Sequence, residues 1–387
     1  MSEIKVNSIK GVGASAAAIT VNNTDGTCTA NITNNLSNRN KVINGAMLIN
    51  QRSSSYTDTG TEYLLDRFQH RVSGSLSFDT TTTQDTSSPD DFSKSLKITP
   101  DSTQTPSGGD NGVIETKLEG QDVQSFAHGT SSAKAMTISF YAKSASQNNN
   151  AIYSFQVIKV DVGGSSGKYV LQPFTVTSNW QRFTFTFTGD TSTAIIDGNV
   201  KALRLVWNLS SGPDDLTSAT TSWTSGDYWR GVTGMSNFMD NTSNEFYLTG
   251  VQLEVGSVAT DFEHRSYSDE LIRCYRYYQL IAKGSDGTAG ARAPLVSGSM
   301  WGTGSFYGVL TLKTKMRSLP SLDVVNGTDY WQVYNNTTDT CDTLAYNNAS
   351  PEAISLYLTG NLSGTAYVGG WSRTNNAAAF VAAKAEL

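Results

Sequence analysis

Three kinds of side chain in this sequence could do chemistry, and the carboxylates come first. Glycosidic-bond hydrolysis normally needs two carboxyl groups about 5 to 10 Å apart, flanking one bond. The most suggestive cluster is Asp58, Glu62 and Asp66. It lies mostly in polar loop sequence, however, and Arg67 follows Asp66 directly as its expected ion-pair partner. The histidines His70, His128 and His264 are scattered, and no GxSxG elbow offers a nucleophile beside any of them. Cys28, Cys274 and Cys341 lie far apart without CxxC spacing, so neither a zinc site nor a disulfide framework is expected. The GGDNG around Asp110 lacks the repeated acidic ligands of a calcium loop. The pieces GVGAS, GGSSG and GTGSF do not open a helix as a phosphate loop would, and they read as turns. The expectation is a chain that is not an enzyme and holds no cofactor.

What remains is binding by aromatic rings. Sugar rings present C–H faces that pack on Trp and Tyr, whose rigid amphipathic side chains lose little conformational entropy on binding. The last third of the chain carries Trp301, Tyr307, Tyr330, Trp331, Tyr334, Tyr346, Tyr357, Tyr367 and Trp371. Most of these are expected in the core or between copies of the chain. In DYWQVYNN, strand alternation puts Tyr330 and Gln332 on one face and Trp331 and Val333 on the other, and only one face can be free. Trp331, Tyr334 and Trp371 are the candidate contacts.

The elements that must position these rings are strands. Of 387 residues only 38% are hydrophobic and 16% charged, and the difference is made up by Ser, Thr, Asn and Gly. Thr, Val and aromatic residues separated by Gly, Asn and Ser are the chemistry of short strands and turns, so the fold class expected is all-β. A net charge of -6 disfavours nucleic acid as a partner. No apolar run of about 18 residues suggests membrane insertion. The start, MSEIKVNSIK, lacks the apolar stretch of a secretory signal.

Residues 1–40 mix short β-prone pieces with Gly, Asn and Ser and are too slight to bury a core alone. They read as an extended arm that orders by docking or by intertwining with copies of itself. Residues 41–265 hold strand-sized runs of period two, bounded by turn clusters such as SPDD, SQNNN and GGSSG. In WQRFTFTFTG, Phe183, Phe185 and Phe187 share one face and the intervening threonines the other. This region is expected to be a jelly-roll β-sandwich. Residues 266–282, SYSDELIRCYRYYQLIA, form the one good helix candidate: Ser268 could cap it, and Leu271, Cys274, Tyr275 and Tyr278 would make its apolar stripe. Residues 283–387 return to β pattern and read as a smaller C-terminal β-sandwich.

Several stretches resemble the tail-fibre proteins of marine and cyanobacterial bacteriophages: KVINGAMLINQR followed by LLDRF, TISFYAKS, Asn179–Trp180 before an aromatic strand, and above all YLTGVQLEVGSVATDFEHRSYSDELIRCYRYYQ. KMRSLPSLDV and the ending VAAKAEL also look like the tips of those fibres. The resemblance implies a jelly roll similar to carbohydrate-binding modules, closed by Gly250–Gly256. It also implies a homotrimer in the virion, attached to a tail, baseplate or adaptor protein through residues 1–40. The C-terminal domain would then face a host surface glycan or an outer-membrane receptor, with Trp331, Tyr334 and Trp371 as receptor contacts. Two other roles are left open: a purely structural fibre or decoration protein, and a polysaccharide depolymerase, against which the lack of a coil-length repeat argues.

Overall fold

Alternating Phe and Thr in Gln181–Phe187 produces an antiparallel strand that pairs residue by residue with Met136–Ser144, Phe183 opposite Phe140 and Phe185 opposite Ile138. The structure is a computed structural model; it describes residues 8–9, 19–21, 24, 28–30, 37–52, 55–58, 62–76, 79–160, 167–226, 228–289 and 291–387. The strand belongs to a six-stranded sheet in the order Gln181–Phe187, Met136–Ser144, Phe246–Val255, Ser95–Pro100, Thr80–Asp85, Ser55–Asp58. Facing it is a seven-stranded sheet: Thr220–Ser225, Gly167–Thr175, Ile152–Val160, Lys201–Ser211, Asn111–Glu119, Phe68–Ser73, Glu62–Tyr63. Every strand pairing in both sheets is antiparallel. The apolar faces enclose one core, as expected for a jelly-roll-like sandwich. Its centre is aromatic: Phe140 meets Trp207 edge-on at 5.5 Å, and Phe155 stacks on Phe185 at 5.8 Å.

Ser8–Ile9, Ile19–Val21 and Cys28–Ala30 form a three-stranded antiparallel sheet, while most of the expected arm lies outside the described residues. From Asn38 onward the chain is strapped to the sandwich by the segment that follows Gly256. Glu263 accepts from the Asn40 backbone N–H at 2.8 Å, Arg265 donates to the carbonyls of Asn40 and Val42, and Glu270 accepts from the Asn44 N–H at 2.5 Å. The DFEHRSYSDE stretch thus closes the sandwich over its own first residues.

The helix is shorter than the sequence suggests. It covers Tyr267–Tyr275 and is capped by Ser266 rather than Ser268, with the Ser266 hydroxyl accepting from the Asp269 N–H at 3.1 Å. Residues expected to continue it instead form the strand Tyr278–Lys283, paired with Phe380–Lys384. Helical spacing is satisfied through Cys274, but YYQLIA has strand propensity as well. A distant partner strand and burial of Tyr277 and Tyr278 decide between the two.

Tyr278–Lys283, Phe380–Lys384 and Ser321–Val325 make a three-stranded sheet. It covers one face of a second seven-stranded sheet: Thr337–Cys341, Trp331–Asn335, Gly369–Thr374, Pro294–Met300, Ser305–Thr311, Ala353–Thr359, Thr343–Ala349. Between them lies the second core, with Trp331, Val333, Phe306, Leu356, Leu358 and Val381. The two sandwiches are joined by a charged clamp. Glu386 accepts from Arg52 at 2.6 Å and from Arg67 at 2.5 Å, and these guanidiniums lie 3.7 and 3.5 Å from the ring centres of Tyr278 and Tyr277. Arg317 reaches the Ala385 and Glu386 carbonyls on one side and the Asn199 carbonyl on the other.

Candidate functional site

Period-two alternation along the second seven-stranded sheet sends one set of side chains into the core and the other outward. Trp331, placed among the candidate contacts by sequence, belongs to the inner set. It is fully buried, and its indole N–H donates to Asn326 Oδ1 at 2.7 Å. It is a core residue and drops out of the site. Tyr334 and Trp371 belong to the outer set and are 47% and 38% exposed. They are direct cross-strand partners, with ring centres 5.9 Å apart and planes inclined by 32°. Beside them Arg373 donates through Nε to Gln332 Oε1 at 2.6 Å, and its Cζ lies 5.1 Å from the Trp371 ring centre.

A second group of rings occupies the same outer face. Tyr307 and Tyr357 are register partners stacked at 5.5 Å, and Trp301 meets Tyr307 and Tyr367 edge-on at 6.5 and 6.4 Å. Trp301 and Tyr367 are 72% and 77% exposed. Between the groups runs Pro294–Met300, whose outward Ser297 and Ser299 lie opposite Trp371 and Gly369 on one side. On the other side Ser299 lies opposite Tyr307. Small side chains there leave the floor low. The strands of Trp371 and Tyr307 therefore lie two spacings apart, about 10 Å, with the two residues offset by two positions along them. The result is two aromatic platforms on one level sheet face with a polar floor between them, a surface able to stack successive rings of a short oligosaccharide.

Sequence alone did not single out the second platform. Trp301 and Tyr367 sit at turns, Trp301 beside Gly302 with φ +71° and Tyr367 itself with φ +63°. The glycines of MWGTGSF were the available signal, because a large ring in a tight turn has little core to enter.

Of the carboxylate cluster, the structure describes the side chains of Glu62 and Asp66. Asp66 is buried at 1% exposure and accepts from the Gln51 N–H at 2.8 Å and the Gln51 side chain at 2.7 Å. Burial raises its pKa, and Arg52 and these hydrogen bonds offset part of the rise. Its charged neighbour is Arg52 at 3.8 Å, not Arg67, which turns away at φ +72° to meet Glu386. Glu62 is exposed on its strand, and the Asp58 side chain lies outside the described residues. Another buried carboxylate, Glu115, would be raised by burial but is held low by Arg204, Lys117 and Arg71. His128 is buried against Trp223; burial and the nearby Lys159 push its imidazole down to about 4. Cys274 and Cys341 are buried free thiols, and burial pushes Cys341 up to about 12. Among the described residues no three His, Cys, Asp or Glu side chains cluster as a metal site, and no helix is long and apolar enough to cross a membrane.

Hollows lie elsewhere, and two of them are lined by aromatic rings or by the clamp. One, of about 360 Å³ on the first sandwich, is walled by Phe92, Tyr141, Phe262 and His264, whose rings pack against one another. The other, about 470 Å³, lies between the sandwiches beside Arg52, Arg317 and Glu386, charges already engaged in the clamp.

No family model and no curated protein matches this chain. Among solved structures, a domain of bacteriophage CBA120 tailspike protein 4 is 12% identical, with a TM-score of 0.31 over 56% of this chain, and the chain spans 21% of that domain's length. A family 11 carbohydrate-binding module of a Clostridium thermocellum cellulosomal cellulase is 12% identical, with a TM-score of 0.27 over 54% of this chain and all of the module. The CBM22-1–CBM22-2 tandem domain of Paenibacillus barcinonensis is 10% identical, with a TM-score of 0.27 over 91% of this chain and 98% of its own length. Scores this low leave the function of this chain to be argued from its own residues.

Proposed function

We propose that this chain is a bacteriophage fibre protein that adheres to host-cell glycan through the outer face of its second sandwich. The observation that carries the reading is the Tyr334–Trp371 pair. Two large aromatic side chains from adjacent strands stand side by side on the solvent face, while their strand neighbours Val333 and Ser372 are buried. Folding gains little from leaving such rings in water, and glycan stacking is the chemistry they suit. The phage assignment is supported by the resemblance of residues 41–280 to tail-fibre sequences. It carries with it a homotrimer in the virion, docked by residues 1–40, and no enzymatic turnover. Three tips per fibre would multiply weak individual sites through avidity, by about 100 to 10,000-fold.

The test is a glycan array probed with the intact chain and with Trp371→Ala and Tyr334→Ala. Each substitution is expected to weaken retained binding about tenfold or more. Undiminished binding by both variants removes the site from this face. Sedimentation equilibrium is expected to give a trimer, and a monodisperse monomer removes that part of the reading. If the same face is protected from solvent in the assembled trimer, it is an interface and the chain is a structural fibre subunit.

A further inference from the structure

We infer that the Tyr334–Trp371 platform selects saccharides carrying an anionic group, and that Arg373 reads that group. The inference rests on the glycan-binding role proposed above and specifies the ligand of the same site. Three observations converge on it. Arg373 stands two residues after Trp371 on the same strand, so both side chains project from the same face of the sheet. Its orientation is fixed. Nε is taken up by the buried Gln332 at 2.6 Å, and the Trp371 ring lies 5.1 Å from Cζ. Among the described residues no carboxylate lies within ion-pairing distance of Arg373 and no hydrogen bond engages its Nη1 or Nη2.

A guanidinium held by Nε and open at both terminal nitrogens presents two parallel donors, the geometry that grips a carboxylate or sulfate oxygen pair. The surrounding charge agrees. Desolvation lowers the affinity of Arg373 for its proton, and the charge of Arg292 adds to the effect, so a second cation acts on this group. Such a doublet in a chain of net charge -6 is a local departure that an anion would relieve. The other platform, around Tyr307 and Tyr357, has no guanidinium over its rings among the described residues. The two platforms therefore differ: one is suited to a charged sugar and the other to the neutral face of its neighbour.

The experiment compares the intact wild-type chain with Arg373→Gln and Trp371→Ala. The surfaces are polygalacturonate, its carboxyl-reduced galactan, and a sulfated galactan, alongside an array of acidic and neutral glycans. Arg373→Gln is expected to lose about tenfold or more in binding to acidic members and to leave neutral members within twofold. Retention on polygalacturonate alone identifies a carboxylate, and retention on sulfated galactan alone identifies a sulfate. Equal binding of wild type and Arg373→Gln to acidic members overturns the inference while leaving the platform intact, as does wild-type preference for neutral members. Unchanged binding by Trp371→Ala, or no binding of wild type to any member, overturns the glycan reading itself. Circular dichroism of both variants confirms that the sheet is retained.

Discussion

In the first sandwich Trp207 sits among Phe68, Phe140 and Phe155, with no exposed surface. In the second, Trp371 sits on the same kind of antiparallel strand and is more than a third exposed. The strands around Trp207 lie between two broad sheets that cover each other, so the inward rings interdigitate. The three-stranded sheet of the second sandwich covers only one face of its larger partner. Among the described residues no second layer covers the opposite face, and the aromatic residues on it stand toward water. Identical residue types thus stabilise one domain and furnish a surface on the other, and the difference comes from how many layers surround them.

The contrast can be broken most directly by truncation. Trp207→Ala should cost about 4 kcal/mol of unfolding free energy, through lost burial and the cavity left behind. Trp371→Ala should cost less than about 0.5 kcal/mol. Denaturant titration of both variants checks the pair, and comparable losses would mean that Trp371 is part of a core. The clamp is the next test. Glu386→Ala leaves the Arg67 guanidinium, 2% exposed, without its carboxylate, and leaves Arg52, 7% exposed, with Asp66 at 3.8 Å. A cost of about 3 kcal/mol follows. It should appear in calorimetry as separation of a single transition into two, one for each sandwich.

A pH-dependent difference is expected from the first sandwich. In the fold His128 takes up its proton only near pH 4, whereas an unfolded histidine does so near 6.5. The unfolded chain therefore binds the extra proton between those values, and stability falls as the pH drops from 6.5 to 4. His128→Gln should remove on the order of 2 kcal/mol of that slope, measured as the difference between wild-type and variant denaturation midpoints across the window. Trp331→Phe keeps an aromatic ring but loses the indole N–H that donates to Asn326. It should cost about 1 kcal/mol. Glycan binding should not change, which would separate the buried indole from the exposed one three positions away in the paired register.

Much of the fold could be read from the sequence because strand alternation is local. Phe183, Phe185 and Phe187 face the core as their spacing required, and the Asn-rich SQNNN falls between strands, while most of GGSSG lies outside the described residues. The helix was legible as far as Cys274. Beyond it YYQLIA satisfied two patterns, and the choice depended on Phe380–Lys384, about a hundred residues later. The site was legible only as a list of rings. Trp331 and Trp371 look alike in sequence, and alternation separates the two faces of a strand without saying which one will be covered.

The sequence by itself determined that this chain is built of short strands and that its last third is rich in Trp and Tyr. Those properties follow from composition and from the two-residue period, which operate over a few residues. Tertiary structure decided which rings stay in water, that Arg67 meets Glu386 rather than Asp66, and that Arg373 points along the Trp371 face with two donors free. Each of these depends on which distant strand lies alongside and how many sheets are stacked above it. A burial pattern of that range is set by the packed chain as a whole.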